Sequence, residues 1–257
     1  MTVEDAREIP SRSASPAFYA QPRFLNRPHL RDWWTVLHPP YTMLHLSLVT
    51  IGACLTGPVN AVRLAVTLIA FFLAVGIGAH CLDELHGRPL GTTIPTWQLW
   101  TASCVGLGGA VILGVVGMFL VSPYLAAFIG VGVLIALGYN LELFGGRLHT
   151  AAVLIIGWGA FPVLTAYFAQ HARLSVASVF VAAFGALITR VQQQLSTPAR
   201  QLRRRTVSAE GVIVRSDGST EPISKASMLA PLEAALKTLC WSGVALAVGV
   251  VLLRFLS

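Results

Sequence analysis

Three polar clusters interrupt a chain that is otherwise apolar, and each holds residue types able to bind or transfer charge. The first is His80-Cys81-Leu82-Asp83-Glu84-Leu85-His86, followed by Gly87-Arg88-Pro89-Leu90. On a helix, residues three and four apart are neighbours, so His80 shares a face with Asp83 and Glu84. Adjacent carboxylates flanked by imidazoles could hold Mg²⁺ through oxygen, or a softer metal through nitrogen. The same acids paired with Arg88 would serve topology alone. The second cluster is Tyr139, Asn140, Glu142, Arg147 and His149 around the turn-forming pair Gly145-Gly146. The third is Thr189-Arg190-Val191-Gln192-Gln193-Gln194-Leu195-Ser196-Thr197, with Arg203-Arg204-Arg205 beyond it. Arg190, Gln193 or Gln194, and Thr197 fall on one helical face and form a strip of donors. A guanidinium inside an apolar segment keeps its charge and needs an anion. For Arg190 that anion is either Asp83 or Glu84, or the phosphate of a ligand. The Arg203–Arg205 run reads as a solvated anchor.

The segments that must position these clusters are apolar enough to be membrane spans. Hydrophobic residues make up 55% of the chain and charged residues 11%, well under the roughly 25% charged of soluble domains. Stretches of about 17 to 25 residues, the length needed to cross a bilayer, occur about seven times: 41–57, 62–86, 97–120, 123–143, 150–170, 175–197 and 231–254. The expectation is an all-α, polytopic membrane bundle over 41–257 as a single domain, preceded by a segment over 1–40 that has no cleavable apolar core. Glycines inside the spans fit close helix approach. Cys54, Cys81, Cys104 and Cys240 are scattered without a C-x-x-C pair and read as reduced packing residues.

The distribution of basic residues sets the expected orientation. With the N-terminus cytoplasmic, thirteen of the 18 Lys and Arg residues lie in inside segments and only Arg63, Arg173 and Arg254 lie outside, as the positive-inside rule requires. This predicts a multi-pass protein of the cell membrane. The net charge of +7 then reflects topology and anionic membrane lipids rather than nucleic acid. Pro28–His38, with Trp33, Trp34, Arg27 and Arg31, reads as an interfacial helix. Within the long inside loop 196–230, Asp217-Gly218 between two β-type runs predicts a small cytoplasmic β-hairpin. Such a hairpin is marginal in isolation and should lie on the helix ends or the headgroups.

The order of these motifs resembles the UbiA superfamily of intramembrane prenyltransferases. The counterparts are His80 to Glu84 with Arg88-Pro89-Leu90, then Tyr139 with Arg147, then Gly157-Trp158-Gly159-Ala160-Phe161-Pro162, and the likeness covers about Tyr41 to Arg205. The resemblance implies a UbiA-like bundle around a lipid-accessible cavity, acting on an isoprenoid diphosphate or a related lipid phosphate at the cytoplasmic face. Asp83 and Glu84 would hold a single Mg²⁺, and Arg190 would join them in catalysis. His80, Arg88, Tyr139, Asn140, Arg147, Gln193 and Gln194 would bind the substrate. Two departures are plain: the end of the sixth span has Arg190 and three glutamines where the family has a second acidic motif, and seven spans replace the family's usual nine. An alternative with the same fold is a non-catalytic isoprenoid-lipid-binding protein that presents its ligand to a protein partner the sequence does not identify.

Overall fold

The computed structural model describes residues 27–256; most of the expected N-terminal segment lies outside them. The chain is a helical bundle with one two-stranded sheet. Helix α1 (Pro28–Leu37) opens with proline at N1, where a missing N–H costs nothing, and ends on His38 in the left-handed conformation (φ 45°). His38 is also the N-cap of α2 (Pro39–Ala53), whose first two residues are prolines. The backbone therefore reverses sharply at this histidine and holds its ring at one end of the bundle.

Helix α2 is the central element. Ten of its fifteen residues are buried, and its side chains enter three separate core groups. Leu44 packs with Ala199, Leu236 and Cys240; Leu48 with Val163 and Ala182; Val49 and Ala53 with Leu64 and Ala166. Among the described residues, five helices are long and apolar enough to cross a membrane: α3 (Ala61–Leu85), α4 (Thr96–Leu120), α6 (Ala151–His171), α7 (Val176–Arg205) and α8 (Lys225–Phe255). Of the seven expected spans, the first and the fourth are shorter. They are α2, with 15 residues, and α5 (Leu125–Asn140), with 16, against about 20 for a full crossing. Prolines explain the limits: Pro39-Pro40 start α2 and Gly57-Pro58 follows its end, while Pro123 precedes α5. A helix surrounded by protein, as α2 is, has no bilayer thickness to match.

The outward faces of the long helices carry large exposed apolar side chains, among them Val105, Ile112, Phe180, Leu187 and Trp241. Buried polar side chains such as Thr42, Ser47, Thr50 and Ser103 lie inside. Apolar outside and partly polar inside is the arrangement for a molecule whose solvent is lipid, and the chain is a multi-pass helical membrane protein. One end is closed by hydrogen bonds between loops and helix termini: Arg254 donates to the carbonyls of Cys54 and Leu55 (2.9 and 2.7 Å), and Gln170 accepts from Asn60 N (3.0 Å). The polar clusters gather at the other end.

Strands β1 (Glu210–Val214) and β2 (Thr220–Ser224) pair antiparallel, with Glu210 opposite Ser224 and Val214 opposite Thr220. The hairpin is where the sequence places it, but its connection is the five-residue Arg215–Ser219 rather than a two-residue Asp-Gly turn. Asp217 captures Ser219 N and Oγ (2.9 and 2.6 Å), an Asx arrangement that stabilises the longer loop. These bonds favour the carboxylate and lower its pKa. Gly218 supplies the left-handed residue at φ 82°. The hairpin does not lie on the helix ends: all of β1 is exposed, and within β2 only Ile223 is half-buried.

Candidate functional site

A polar cavity of about 230 Å³ opens at the end of the bundle, between α2, α3, α5, α6 and α7. Each wall follows from a local feature of the chain. From α2 and the bend before it come His38, Tyr41 and His45, spaced three and four apart and hence on one face. The His38 ring lies 5.8 Å from that of Tyr41 and 5.0 Å from that of His80. Burial is the main cause lowering the His38 pKa well below its ordinary value, with His80, Arg204 and Arg200 adding to it, so the ring is neutral at pH 7. His45 is 5% exposed. Its Nδ1 lies 3.2 Å from the Trp158 carbonyl oxygen, while its Nε2 is buried without a hydrogen-bond partner.

Helix α3 enters the site through a π-helical stretch, Phe72–Ala79, and α6 through a second, Ile156–Ala160. Widened turns of this kind shift the register of the residues beyond them and are common at functional sites. The first leads directly into His80, whose Nδ1 lies 3.3 Å from Gly76 O, and then into Asp83, half-buried in the cavity wall. The second contains Trp158, whose ring lies 5.0 Å from Tyr139. Tyr139 also stacks on His149 at 4.3 Å, and the neighbouring Asn140 is buried, donating from Nδ2 to Ala136 O at 2.7 Å.

Helix α7 contributes the longest polar stripe. Thr189, Gln192, Gln193, Ser196, Arg200 and Arg204 all line the cavity, and Gln192, Ser196, Arg200 and Arg204 repeat every four residues along one face. The stripe is rotated from the one expected through Arg190, Gln193 or Gln194, and Thr197. Arg190 and Gln194 do not line the cavity, and Arg190 is exposed. The basic run is also divided in use. Arg203 is paired with Glu233 of α8, Arg204 enters the cavity and Arg205 is exposed.

The two adjacent acids have separate fates. Glu84 is fully buried: Oε2 accepts from Leu90 N (3.0 Å), and Oε1 accepts from Thr92 N and Thr92 Oγ1 (2.9 and 2.7 Å). It closes the loop between α3 and α4. Arg88 staples the same loop by donating to Ile94 O and Thr96 Oγ1 (2.7 and 2.9 Å). Asp32 of α1 ties it down from outside through Thr93 N and Oγ1 (2.7 and 2.6 Å). Arg147 lies on the loop after α5 and is not in the cavity wall. Of the expected site residues, the structure thus brings together His80, Asp83, Tyr139, Asn140 and Gln193, and leaves Glu84, Arg88, Arg147, Arg190 and Gln194 apart from them.

Of the two acids expected to hold Mg²⁺, the cavity wall offers Asp83 alone. Both Glu84 oxygens are used by the loop, so Asp83 is the one carboxylate in the cavity wall. Among the described residues no three His, Cys, Asp or Glu side chains converge as a metal-binding group. What the cavity offers is two guanidiniums, amides and hydroxyls, which together suit an anion with several oxygens.

Below the polar cavity runs an apolar groove of about 450 Å³ between α3, α4, α5 and α6, lined by side chains such as Ala74, Leu107, Phe128, Ile135 and Phe161. It follows α3 from Val62 to Ala79. Ala79 and Trp158 line both spaces, so the polar cavity and the groove meet at these two residues.

Sequence reasoning missed His38, Tyr41, His45, Gln192, Ser196, Arg200 and Arg204 as site residues. The four-residue spacing on α7 and the 38, 41, 45 spacing on α2 were the available signals. Comparison with protein-family models, curated proteins and solved structures gives no match to this chain.

Proposed function

We propose that the chain binds an isoprenoid diphosphate or a related lipid phosphate, and that it acts on it as a UbiA-like prenyltransferase. The observation that carries this reading is the junction at Ala79 and Trp158, where a cation-bearing polar cavity meets a long apolar groove. An amphiphile with a phosphate head and a long apolar tail fits that pair of spaces. Arg200 and Arg204 would face the phosphate oxygens, with Gln192, Gln193 and Ser196 as neutral donors. Asp83 would temper the positive field and orient the head. Cations fixed around a leaving diphosphate stabilise the charge that grows on it as the C–O bond to the prenyl chain breaks. The cavity end of the bundle is read as cytoplasmic, because the loops there hold most of the basic residues.

A second reading, binding without turnover, draws support from Glu84. That carboxylate belongs to the loop rather than the cavity, so the acidic pair implied by the family resemblance is reduced to Asp83. Purified protein in lipid nanodiscs, offered a panel of isoprenyl diphosphates and monitored for binding and for diphosphate release with Mg²⁺ or EDTA, separates the two. Release marks an enzyme, and tight binding without release favours the second reading. In either case Arg200→Gln with Arg204→Gln is expected to weaken binding by about 10-fold or more, since charge-assisted bonds contribute about 1.5–3 kcal/mol each. Unchanged affinity in that double variant would remove the cavity as the head-group site.

A further inference from the structure

His45 lines the polar cavity beside Trp158 and Phe71, which line the groove, and its ring is only half satisfied. The Trp158 carbonyl can only accept a hydrogen bond, so Nδ1 carries the hydrogen of the 3.2 Å contact. Among the described residues no carboxylate is ion-paired or hydrogen-bonded to the ring, which packs 5.5 Å from Phe71. In the neutral ring Nε2 is then a bare acceptor, buried and without a partner. Buried polar atoms are almost always satisfied, and an orphan atom on a residue that lines a cavity calls for a partner from outside the protein. Trp158 lies within the π stretch Ile156–Ala160, and its carbonyl fixes the orientation of this histidine while leaving its second nitrogen unused.

We infer that His45 Nε2 is the hydrogen-bond acceptor for a ligand O–H at the junction of cavity and groove, and that the site takes an apolar ligand carrying a hydroxyl donor at that depth. This deepens the lipid-binding reading above and rests on it. An isoprenoid diphosphate has only acceptor oxygens at the corresponding point of its chain. The donor therefore belongs to a second, hydroxyl-bearing ligand, and His45 sets the preference for it.

The test uses the full chain in nanodiscs with radiolabelled farnesol, its methyl ether, and farnesyl diphosphate. The ether matches the alcohol in its chain but has no hydrogen to donate. Wild-type protein is expected to bind the alcohol about tenfold more tightly than the ether, the usual scale for leaving one buried acceptor unmet. His45→Asn keeps a donor where Nδ1 stands and removes Nε2. It is expected to abolish the alcohol preference in a protein that still folds and melts close to wild type. His45→Gln, which places an amide near the Nε2 position, is expected to restore part of the preference. Equal binding of alcohol and ether by wild type overturns the inference, whether or not the variants fold. So does a preference that persists in a folded His45→Asn protein. If the diphosphate binds but the preference is absent, the His45 inference alone fails; if no farnesyl ligand binds, the lipid-binding reading fails with it.

Discussion

At the scale of single residues, the separation of Asp83 from Glu84 carries the most weight. Adjacent positions on a helix differ by about 100° in direction, so two neighbouring acids rarely serve one ligand from the same turn unless the helix ends between them. Here α3 continues to Leu85, and Glu84 turns into the protein while Asp83 turns to the cavity. Glu84→Gln should therefore lower stability rather than binding. The amide nitrogen would face a backbone donor, Leu90 N or Thr92 N, and leave it unsatisfied in the interior, at about 1–3 kcal/mol. Asp83→Asn should leave stability nearly unchanged and alter affinity for lipid phosphate. Thermal unfolding in detergent and nanodisc binding, run on both single variants, distinguish these expectations. Loss of binding without loss of stability in Glu84→Gln would return that residue to the site.

At the scale of elements, the site depends on how closely the helices can approach. Gly159 in the π stretch of α6 packs against Gly185 of α7, where a Cβ on Gly159 would come within 2.6 Å of the Gly185 carbonyl oxygen and 2.7 Å of Thr189 Oγ1. The opposing atoms are largely backbone, which cannot yield as a side chain can. Gly159 sits next to Trp158, and Thr189 begins the polar stripe of α7, so this contact sets the distance between two walls of the cavity. Gly185→Val is expected to lower the melting temperature by several degrees and to weaken lipid-phosphate binding together. A change at the remote, open Gly249, where a Cβ would meet nothing within 4 Å, should do neither. Fluorescence-detected melting followed by binding on the surviving folded fraction reads both. If Gly185→Val melts and binds as wild type does, the close contact is not what spaces the walls.

For the whole molecule, the arrangement is asymmetric from end to end. One end is shut by Arg254, Gln170 and Asn60, and the other holds the open cavity, the stapled α3–α4 loop and the exposed hairpin. The charge distribution predicts that the hairpin end is cytoplasmic. All four native cysteines are free and can be replaced to give a background for labelling. In right-side-out vesicles, a membrane-impermeant maleimide is expected to modify a cysteine at Arg173 and to spare one at Ser216 until the vesicles are opened. The reverse pattern would invert the topology and place the cavity on the outer face.

The sequence by itself determined the solvent of this protein and the places of its apolar segments, although, among the described residues, five rather than seven of them form helices long enough to cross a membrane. Those are properties of composition and of apolar run length, and bilayer thickness translates them directly into helices. It also located the hairpin, because turn chemistry acts over a few residues. Tertiary structure decided which polar residues share a space. The face that a residue presents on a long helix depends on accumulated rotation, and the two π stretches change that rotation within α3 and α6, which no local composition signals. On α7, Arg190 and Arg200 end on different sides because packing against α2 and α6 selects which face of the helix meets the cavity. Only packing could show that α2 is a buried central helix, that Glu84 belongs to a loop, and that His45 meets Trp158 across 113 positions of sequence. Such contacts are set by helix approach at glycine pairs and by core filling, not by any pattern within reach of either residue.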